Sequence, residues 1–284
     1  MFFAVKSLRE YAIPSSVSEI IQEAFYNCRH LKTLVLPLRL KSVNGHHFSN
    51  CDSLYSISVD EKNPYLCSDG SALYNKDKSE LVFVYHTVRK MSIPSSVTKI
   101  GDYAFYNCTN LSSLTLPSGV KEIGFSAFQG CKSLTSVTIP SGVKYISSFT
   151  FRDCESLRFI NLPSDLKYIG EEAFMNCTGL TSIYAFMEKP CEIDETTFEN
   201  ETIINATLYV PKGSLLDYWD DNQWKKFMNI EEFDVTSIGS LNTNVNDVQE
   251  VSRYSDNGQR LNTPAKGLNI VKYNNGTVKK IMVK

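Results

Sequence analysis

The stretch LSSLTLPSGVKEIGFSAFQGCKS, residues 111–133, is followed directly by LTSVTIPSGVKYISSFTFRDCES, residues 134–156. Both segments have apolar residues at their first, fourth and sixth positions and a proline next. Both end with a phenylalanine that precedes a cysteine by three residues. Agreement over 23 consecutive positions indicates a structural unit that occurs in several copies.

The unit repeats along most of the chain. Copies begin at Leu8, Leu31, Leu54, Val88, Leu111, Leu134, Leu157 and Leu180. One copy cannot bury its own apolar side, whereas stacked copies turn each apolar position into a continuous internal column. We therefore predict a leucine-rich-repeat solenoid that is mostly β. It should have a parallel sheet on its concave side, a second side at Val120 and Ile123, and short helical turns on its convex side.

Departures from the repeat predict local features. The third unit has 34 residues, and the excess at residues 68–86 predicts a protruding β-hairpin that turns at residues 75–78. Near the end of the repeats, Phe198 lies one residue beyond the position that the 23-residue spacing predicts. The segment TLYVP, residues 207–211, predicts a last strand. Ser214 and Asp217 resemble a capping box, and residues 215–230 are helical in pattern. Since a solenoid needs a terminal cap, we assign these residues to it.

The domain organisation follows from these patterns. Residues 1–206 are the repeats, with the insertion at about 60–87. Residues 207–236 are the cap, 237–247 a polar linker and 248–284 a tail of short strands with hairpin turns at 256–258 and 274–276. The chain begins inside a repeat, because Phe2 falls in the register of Phe25. We therefore expect a fragment, or a mis-set start, of a longer repeat protein.

Composition narrows the classes of partner. Lys plus Arg is 29 and Asp plus Glu is 31, which gives a net charge of -2 and argues against a nucleic-acid partner. No run approaches the roughly 20 apolar residues of a membrane helix, so we expect no membrane span. The opening MFFAVKSLREYAIP lacks a cleavage site of small residues, so we expect no signal peptide in it.

Titratable residues predict no catalytic residue, metal or cofactor. Six of the eight cysteines share one position of the unit, and equivalent side chains on parallel rungs lie about 4.8 Å apart and point the same way. A disulfide needs Cβ atoms about 3.5–4.5 Å apart, so we interpret the row as small buried apolar groups and leave Cys67 and Cys191 unassigned. The pair His46 and His47 would suit either a metal site or the solenoid rim, and we favour the rim. No nucleophile elbow, HExxH or phosphate loop is present.

The outward positions of the strands are the better candidate site. The third and fifth positions of each unit point onto the concave sheet, where they form a Ser/Thr-rich surface with aromatic residues at its C-terminal end. The candidate ligand-binding residues are Ser113, Thr115, Ser136, Thr138, Phe159, Asn161 and Tyr184. Exposed aromatic residues clustered on one face often anchor partners. The alternative is that the hydroxyl residues are merely good strand formers.

The size of the sheet restricts the ligand. Eight rungs of three or four residues give about 450 Å². A standard protein interface takes about 800 Å² per partner. Either loops and the hairpin contribute, or binding is weak and multivalent, or the ligand is smaller, such as a glycan.

Segments such as IPSSVTKIGDYAFYNCTNL, residues 93–111, and TLYVPKGSLLDYW, residues 207–219, resemble the BspA-like, Treponema-type leucine-rich repeats of bacterial surface proteins. The resemblance covers roughly residues 8–233, and His47 departs from it by standing where alanine is usual. It implies a cell-surface or secreted, outer-membrane-associated location and attachment to host matrix proteins or other cells. The tail resembles the sorting domain of type-nine secretion clients, or is a small hairpin packed on the cap.

We therefore predict a non-catalytic surface adhesion protein that recognises host or microbial proteins through its repeats. The alternative is a surface glycan-binding accessory protein, which glycan arrays would distinguish. An enzyme is the third hypothesis, and it requires a convergent titratable cluster in a deep pocket.

Overall fold

The structure, a computed structural model, describes residues 7–21, 23–235, 250–255, 260–261, 263, 265–273 and 278–283. In chain order the strands are β1 (Glu10–Ala12), β2 (Thr33–Leu36), β3 (Ser56–Val59), β4 (Leu66–Ser68), β5 (Ala72–Asn75), β6 (Glu80–Val84), β7 (Lys99–Ile100), β8 (Glu122–Ile123), β9 (Ser136–Thr138), β10 (Tyr145–Ile146), β11 (Phe159–Leu162), β12 (Tyr168–Ile169), β13 (Ser182–Ala185), β14 (Glu192–Ile193), β15 (Thr207–Pro211), β16 (Asn229–Phe233), β17 (Glu250–Ser255), β18 (Arg260–Leu261), β19 (Gly267–Tyr273) and β20 (Val278–Val283). The α-helices are α1 (Asn200–Asn205) and α2 (Leu215–Asp220), and Gly45–Phe48 and Trp224–Lys226 are 3-10 helices.

The predicted parallel β-solenoid is confirmed. The apolar strand motifs form the concave side as two parallel sheets, one of β1-β2-β3 and one of β9-β11-β13-β15-β16. The second side is confirmed as well, because Ile123 and its equivalents lie in two-residue strands that pair in parallel as β7-β8-β10-β12-β14. The units that begin at Leu134, Leu157 and Leu180 each contribute one short strand to each of the two sides.

A phenylalanine column fills the interior between these sides. Phe105, Phe128, Phe151, Phe174 and Phe198 stack in order, with neighbouring ring centroids 4.9–5.3 Å apart. Phe198 joins the column although it falls one residue late in sequence, and it forms a parallel bridge with Phe174. Rings in adjacent units are thus held one rung apart, as the repeat predicts.

The third side of each unit is a set of hydrogen-bonded turns. Only the turn at Gly45–Phe48 is a regular 3-10 helix among the described copies of this segment, so the predicted helical turns are mostly irregular. The cysteines of these turns are buried, as predicted, and none of the eight cysteines, all of them described, forms a disulfide. The Cys131 thiol donates to the Phe105 carbonyl at 3.2 Å, and Cys154 and Cys177 repeat this contact with Phe128 and Phe151.

The insertion does not protrude, which corrects our expectation. Strands β5 and β6 form the expected antiparallel hairpin. Strand β4, which was not expected, pairs antiparallel with β5, and β6 also pairs in parallel with β7 and joins the second side. Both faces of the insertion are buried: Leu73 and Phe83 pack in the N-terminal core, and Tyr74 and Leu81 pack in the C-terminal core. The hairpin is therefore a partition between two apolar cores.

The C-terminal cap differs from expectation in three respects. TLYVP is not the last strand, because β16 pairs in parallel with β15. Ser214 is the N-cap of α2 but makes no side-chain cap hydrogen bond, so the capping box does not form. The helix also ends at Asp220, since the Asp221 carboxylate accepts the N–H groups of Gln223 and Trp224 at 2.8 and 3.0 Å, a local turn that competes with the helix.

In the tail, β18-β17-β19-β20 form an antiparallel sheet. The predicted turns at 256–258 and 274–276 lie outside the described residues. The two α-helices of the described part have six residues each and are far too short to span a bilayer.

Candidate functional site

An open groove of about 1730 Å³ runs along the concave side of the C-terminal units. Its floor is made by outward residues of the strand motifs, and its walls are the turns that follow the strands at Pro140–Ser141, Pro163–Ser164 and Lys212–Gly213. Residues of the cap close one end, including Asp217 and Asp234. Loops thus enlarge the surface beyond the bare sheet.

Six of the seven candidate residues line this groove. They are Ser113, Thr115, Ser136, Thr138, Phe159 and Asn161. Parallel register places Phe159 beside Ser136, and Asn161 beside Thr138. Period-two alternation therefore brings these side chains to one surface, as the sequence predicted.

The floor is not a continuous sheet. Residues 88–93 and 111–116 contain no regular strand, so Ser113 and Thr115 lie in an irregular segment, which corrects the strand predicted there. Contact between the units is kept at the base of the motif, where the Ser112 N–H donates to the Arg89 carbonyl at 3.3 Å and the Thr135 N–H donates to the Ser112 carbonyl at 3.2 Å. The break separates the three-stranded sheet from the five-stranded one.

Tyr184 does not line the groove with Phe159. Register places Ser182 opposite Phe159 and Asn161 opposite Tyr184. The Tyr184 ring instead stacks on Tyr209, with centroids 4.6 Å apart and planes 10° from parallel, and meets Phe233 edge-on at 5.9 Å. Burial and the neighbouring Tyr209 raise the pKa of Tyr184 to about 12, so its hydroxyl stays protonated.

The sequence reasoning missed three members of this aromatic cluster, namely Phe186, Tyr209 and Phe233. Tyr209 could have been found, because it is the outward residue of TLYVP at the position equivalent to Tyr184. Phe233 could not, because it was assigned to the cap without a predicted strand, whereas it ends β16.

Asn161 has an unusual position on the groove floor. Among the described residues, its buried Oδ1 atom has no hydrogen-bond partner. An unsatisfied buried carbonyl costs about 1–3 kcal/mol. Because this oxygen is buried, it is not itself exposed to the groove.

The charges of the groove are balanced. Lys90, Lys189 and Lys212 line it together with Glu188, Asp217 and Asp234. No group of three or more His, Cys, Asp or Glu side chains that would hold a metal occurs in the part of the chain that the structure describes. The groove thus presents charges of both signs along its length.

The two adjacent histidines point to different surroundings. His46 packs its ring on Tyr103 with centroids 4.7 Å apart, whereas His47 is buried and its Nδ1 atom lies 2.7 Å from Asn44 Oδ1. Burial lowers the pKa of His47, so the ring is neutral at pH 7. His47 thus fills the inward position that alanine takes in other units.

Comparison with known proteins gives a family and a fold. Residues 1–75 and 76–205 match the model of the BspA type leucine rich repeat region, in six copies. No curated protein matches the chain significantly.

Solved structures with the same fold include three bacterial proteins. A leucine-rich repeat protein from Eubacterium ventriosum is 27% identical, with a TM-score of 0.55, over 62% of this chain and 54% of its own. The pneumococcal vaccine antigen PcpA is 18% identical, with a TM-score of 0.58, over 80% of this chain and 68% of its own. A leucine rich cell surface protein from Faecalibacterium prausnitzii is 24% identical, with a TM-score of 0.50, over 65% of this chain and 61% of its own. The chain spans about half the length of the Eubacterium protein.

Proposed function

The chain belongs to the family of the BspA type leucine rich repeat region, and from this premise we propose that it is a non-catalytic adhesion protein whose concave groove binds a protein partner. The observation that carries this proposal is the groove itself, which is lined by residues of five units and of the cap. Its volume of about 1730 Å³ exceeds the roughly 300–1,000 Å³ of small-molecule pockets. An extended segment or loop of a host or microbial protein fits such a space.

The chemistry of the floor supports a polypeptide. Ser136, Thr138 and Asn161 provide polar side chains along the floor. Phe159, which is half-buried, provides an apolar anchor of the kind that dominates protein interfaces. Mixed charges on the walls favour specificity over strong long-range attraction.

A glycan-binding role for the same groove has weaker support. Sugar rings pack against an open aromatic face, but one face of Tyr184 is covered by Tyr209 and Phe233 contacts the ring as well. An enzyme is supported least, because the residues that line the groove include no His or Cys side chain.

The test is binding of the purified full chain to immobilised collagen, laminin and fibronectin, measured by surface plasmon resonance. We expect Phe159→Ala/Asn161→Ala to weaken binding at least about tenfold, since each removes a contact at the centre of the interface. Tyr145→Ala is the matched control, because this tyrosine is 61% exposed on the second side, away from the groove. An unchanged affinity of the double variant would exclude the groove, and absence of binding by the unaltered chain would exclude matrix proteins.

We further propose a location on the cell surface or outside the cell, with the tail at residues 248–284 as a type-nine sorting domain and residues 207–236 as a separate cap. Family membership supports the location, and the antiparallel β17-β18 and β19-β20 pairs support a small strand-based tail module. Deletion of residues 248–284 should retain the protein inside the cell envelope. Unchanged display on the surface would reject the sorting role and leave the groove proposal unaffected.

A further inference from the structure

A second aromatic surface lies on the turn side, away from the groove. We call it the aromatic ridge, and it consists of Tyr26, His46, Tyr103, Phe125 and Phe149. The ring centroids follow one another at 5.9, 4.7, 5.5 and 5.2 Å, so the ridge runs for about 20 Å across five units. It is continuous although its members come from both sides of the inserted hairpin.

These rings are not part of the core. The inner phenylalanine column is fully buried, whereas Phe125 is 37% exposed and the other ridge residues are half-buried. The ridge therefore presents part of its ring surface to solvent.

The backbone under the ridge strengthens this argument. Tyr103 and Phe149 have φ values of 58° and 60°, in the left-handed region that bulky side chains disfavour. Ser126 and Glu172 occupy the same column in neighbouring units with φ values of 51° and 49°, so the turn imposes this conformation whatever the residue. Large rings at strained, solvent-facing positions where smaller residues suffice indicate a binding role.

The dimensions of the ridge exclude a globular partner. The ridge is a strip about 20 Å long and one ring wide. Its surface area is therefore far below the roughly 800 Å² that each partner buries in a standard protein interface. A second copy of this chain is excluded on the same ground. The ligand must instead be narrow and elongated.

The polar groups beside the ridge indicate a neutral ligand that is not an added peptide strand. Arg152 lies over the Phe149 ring at 5.6 Å, but its charge is compensated by Glu172 and by Asp153 at 3.7 Å. Backbone N–H groups of the turns already donate within the solenoid: Tyr103 donates to the Phe125 carbonyl and Phe149 to the Glu171 carbonyl, both at 2.9 Å. A peptide strand would therefore find these donors occupied.

We propose that the aromatic ridge binds a neutral oligosaccharide chain. Its ring steps of 4.7–5.9 Å are close to the length of one hexose in an extended chain, so successive sugars meet successive rings. The apolar C–H faces of the sugars pack on the rings, while their hydroxyl groups stay in water. This surface is independent of the groove and of its protein partner.

The test is titration calorimetry of the full chain with cellohexaose, laminarihexaose and mannohexaose. We expect at least one to bind, and Tyr103→Ser/Phe149→Ser to lower its affinity at least tenfold. The circular dichroism spectrum should show the same fold, because Ser126 already occupies this column with the same left-handed backbone. Tyr145→Ser is the matched control, since that side chain is 61% exposed but lies outside the ridge.

Two outcomes would overturn the proposal. One is an unaltered chain that binds none of the three hexasaccharides. The other is a double variant that binds as well as the control. The groove variant Phe159→Ala/Asn161→Ala should bind the sugar normally, so that failure of either site is distinguishable from failure of the other.

Discussion

One residue position in the turns has a simple conformational explanation. The residue before each of the six repeated cysteines has a positive φ, and it is always Asn, Asp or Gly: Asn27, Asn50, Asn107, Gly130, Asp153 and Asn176. These residue types tolerate the left-handed region best. The sequence therefore contains this turn signal, whereas the other left-handed column, which includes Glu23 and Tyr103, shares no residue type and could not be recognised in advance.

Gly45 controls how the second and fourth units meet. Its N–H donates to the Asp102 carbonyl at 3.2 Å, and a Cβ atom placed on it would lie 2.2 Å from the Tyr103 carbonyl oxygen. The backbones are thus too close for a side chain. We expect Gly45→Ala to lower the free energy of unfolding by about 1–3 kcal/mol, as overpacking does. Urea unfolding followed by circular dichroism measures the change.

Gly119→Ala is the control for this substitution. A Cβ atom there would meet its nearest neighbour, the Ser95 carbonyl oxygen, at 3.7 Å, which is ordinary contact. Its unfolding midpoint should stay near that of the unaltered protein. Equal midpoints for the two variants would contradict direct contact between these turns.

Single residues also show where prediction of the site succeeded and failed. Phe159 and Asn161 were placed correctly on the groove floor because side-chain direction follows from strand alternation. Ser113 and Thr115 belong to one of the most regular units in sequence, yet their segment forms no ladder. A ladder depends on the neighbouring unit as much as on the unit itself, so one unit's sequence cannot reveal its absence.

At the scale of elements, the hairpin was foreseen but its environment was not. Alternation and the turn at residues 75–78 predicted β5 and β6, which pair as expected. The run LVFVY, residues 81–85, is apolar without interruption, and such runs are typical of strands buried on both faces. The length of the insertion suggests a hairpin that protrudes, whereas the uninterrupted apolar run in its second strand indicates a hairpin that is buried.

The cap is anchored by one indole. Trp224 is fully buried, its Nε1 atom donates to the Cys191 carbonyl at 2.7 Å, and its ring lies against Phe198, the last ring of the inner column. We expect Trp224→Ala to lower the free energy of unfolding by about 3–5 kcal/mol, because it leaves a cavity and an unpaired carbonyl. Thermal unfolding by calorimetry measures the loss.

The neighbouring tryptophan supplies the comparison. Trp219 lies on α2 and is 52% exposed, so Trp219→Ala should change stability by less than about 0.5 kcal/mol. Similar losses for the two variants would show that the end of the solenoid is not sealed by Trp224.

At the scale of the molecule, the inserted hairpin divides the solenoid into two apolar cores. The concave sheet is interrupted in the units that follow the hairpin, and the groove begins there. On the turn side the units remain in direct contact across the hairpin, through Gly45 and through His46 on Tyr103. One insertion thus leaves the turn side continuous and the strand side broken, which is why the ridge is unbroken and the groove is confined to the C-terminal units.

The whole repeat array should lose stability in alkali. Burial raises the pKa of the Cys51 and Cys191 thiols from 9.0 to about 12, and it also raises the pKa of the Cys108 and Cys154 thiols well above 9.0. Above pH 9 the unfolded chain releases thiol protons that the native chain retains, so the free energy of unfolding falls as the pH rises towards the native pKa values. At pH 10 each buried thiol contributes a loss on the order of 1 kcal/mol.

The urea midpoint under reducing conditions should therefore be constant from pH 7 to about 8.5 and fall steeply by pH 10. Cys154→Ala should make the fall shallower, whereas a midpoint that stays level to pH 10 would mean that the thiols are open to water and that the column is not closed.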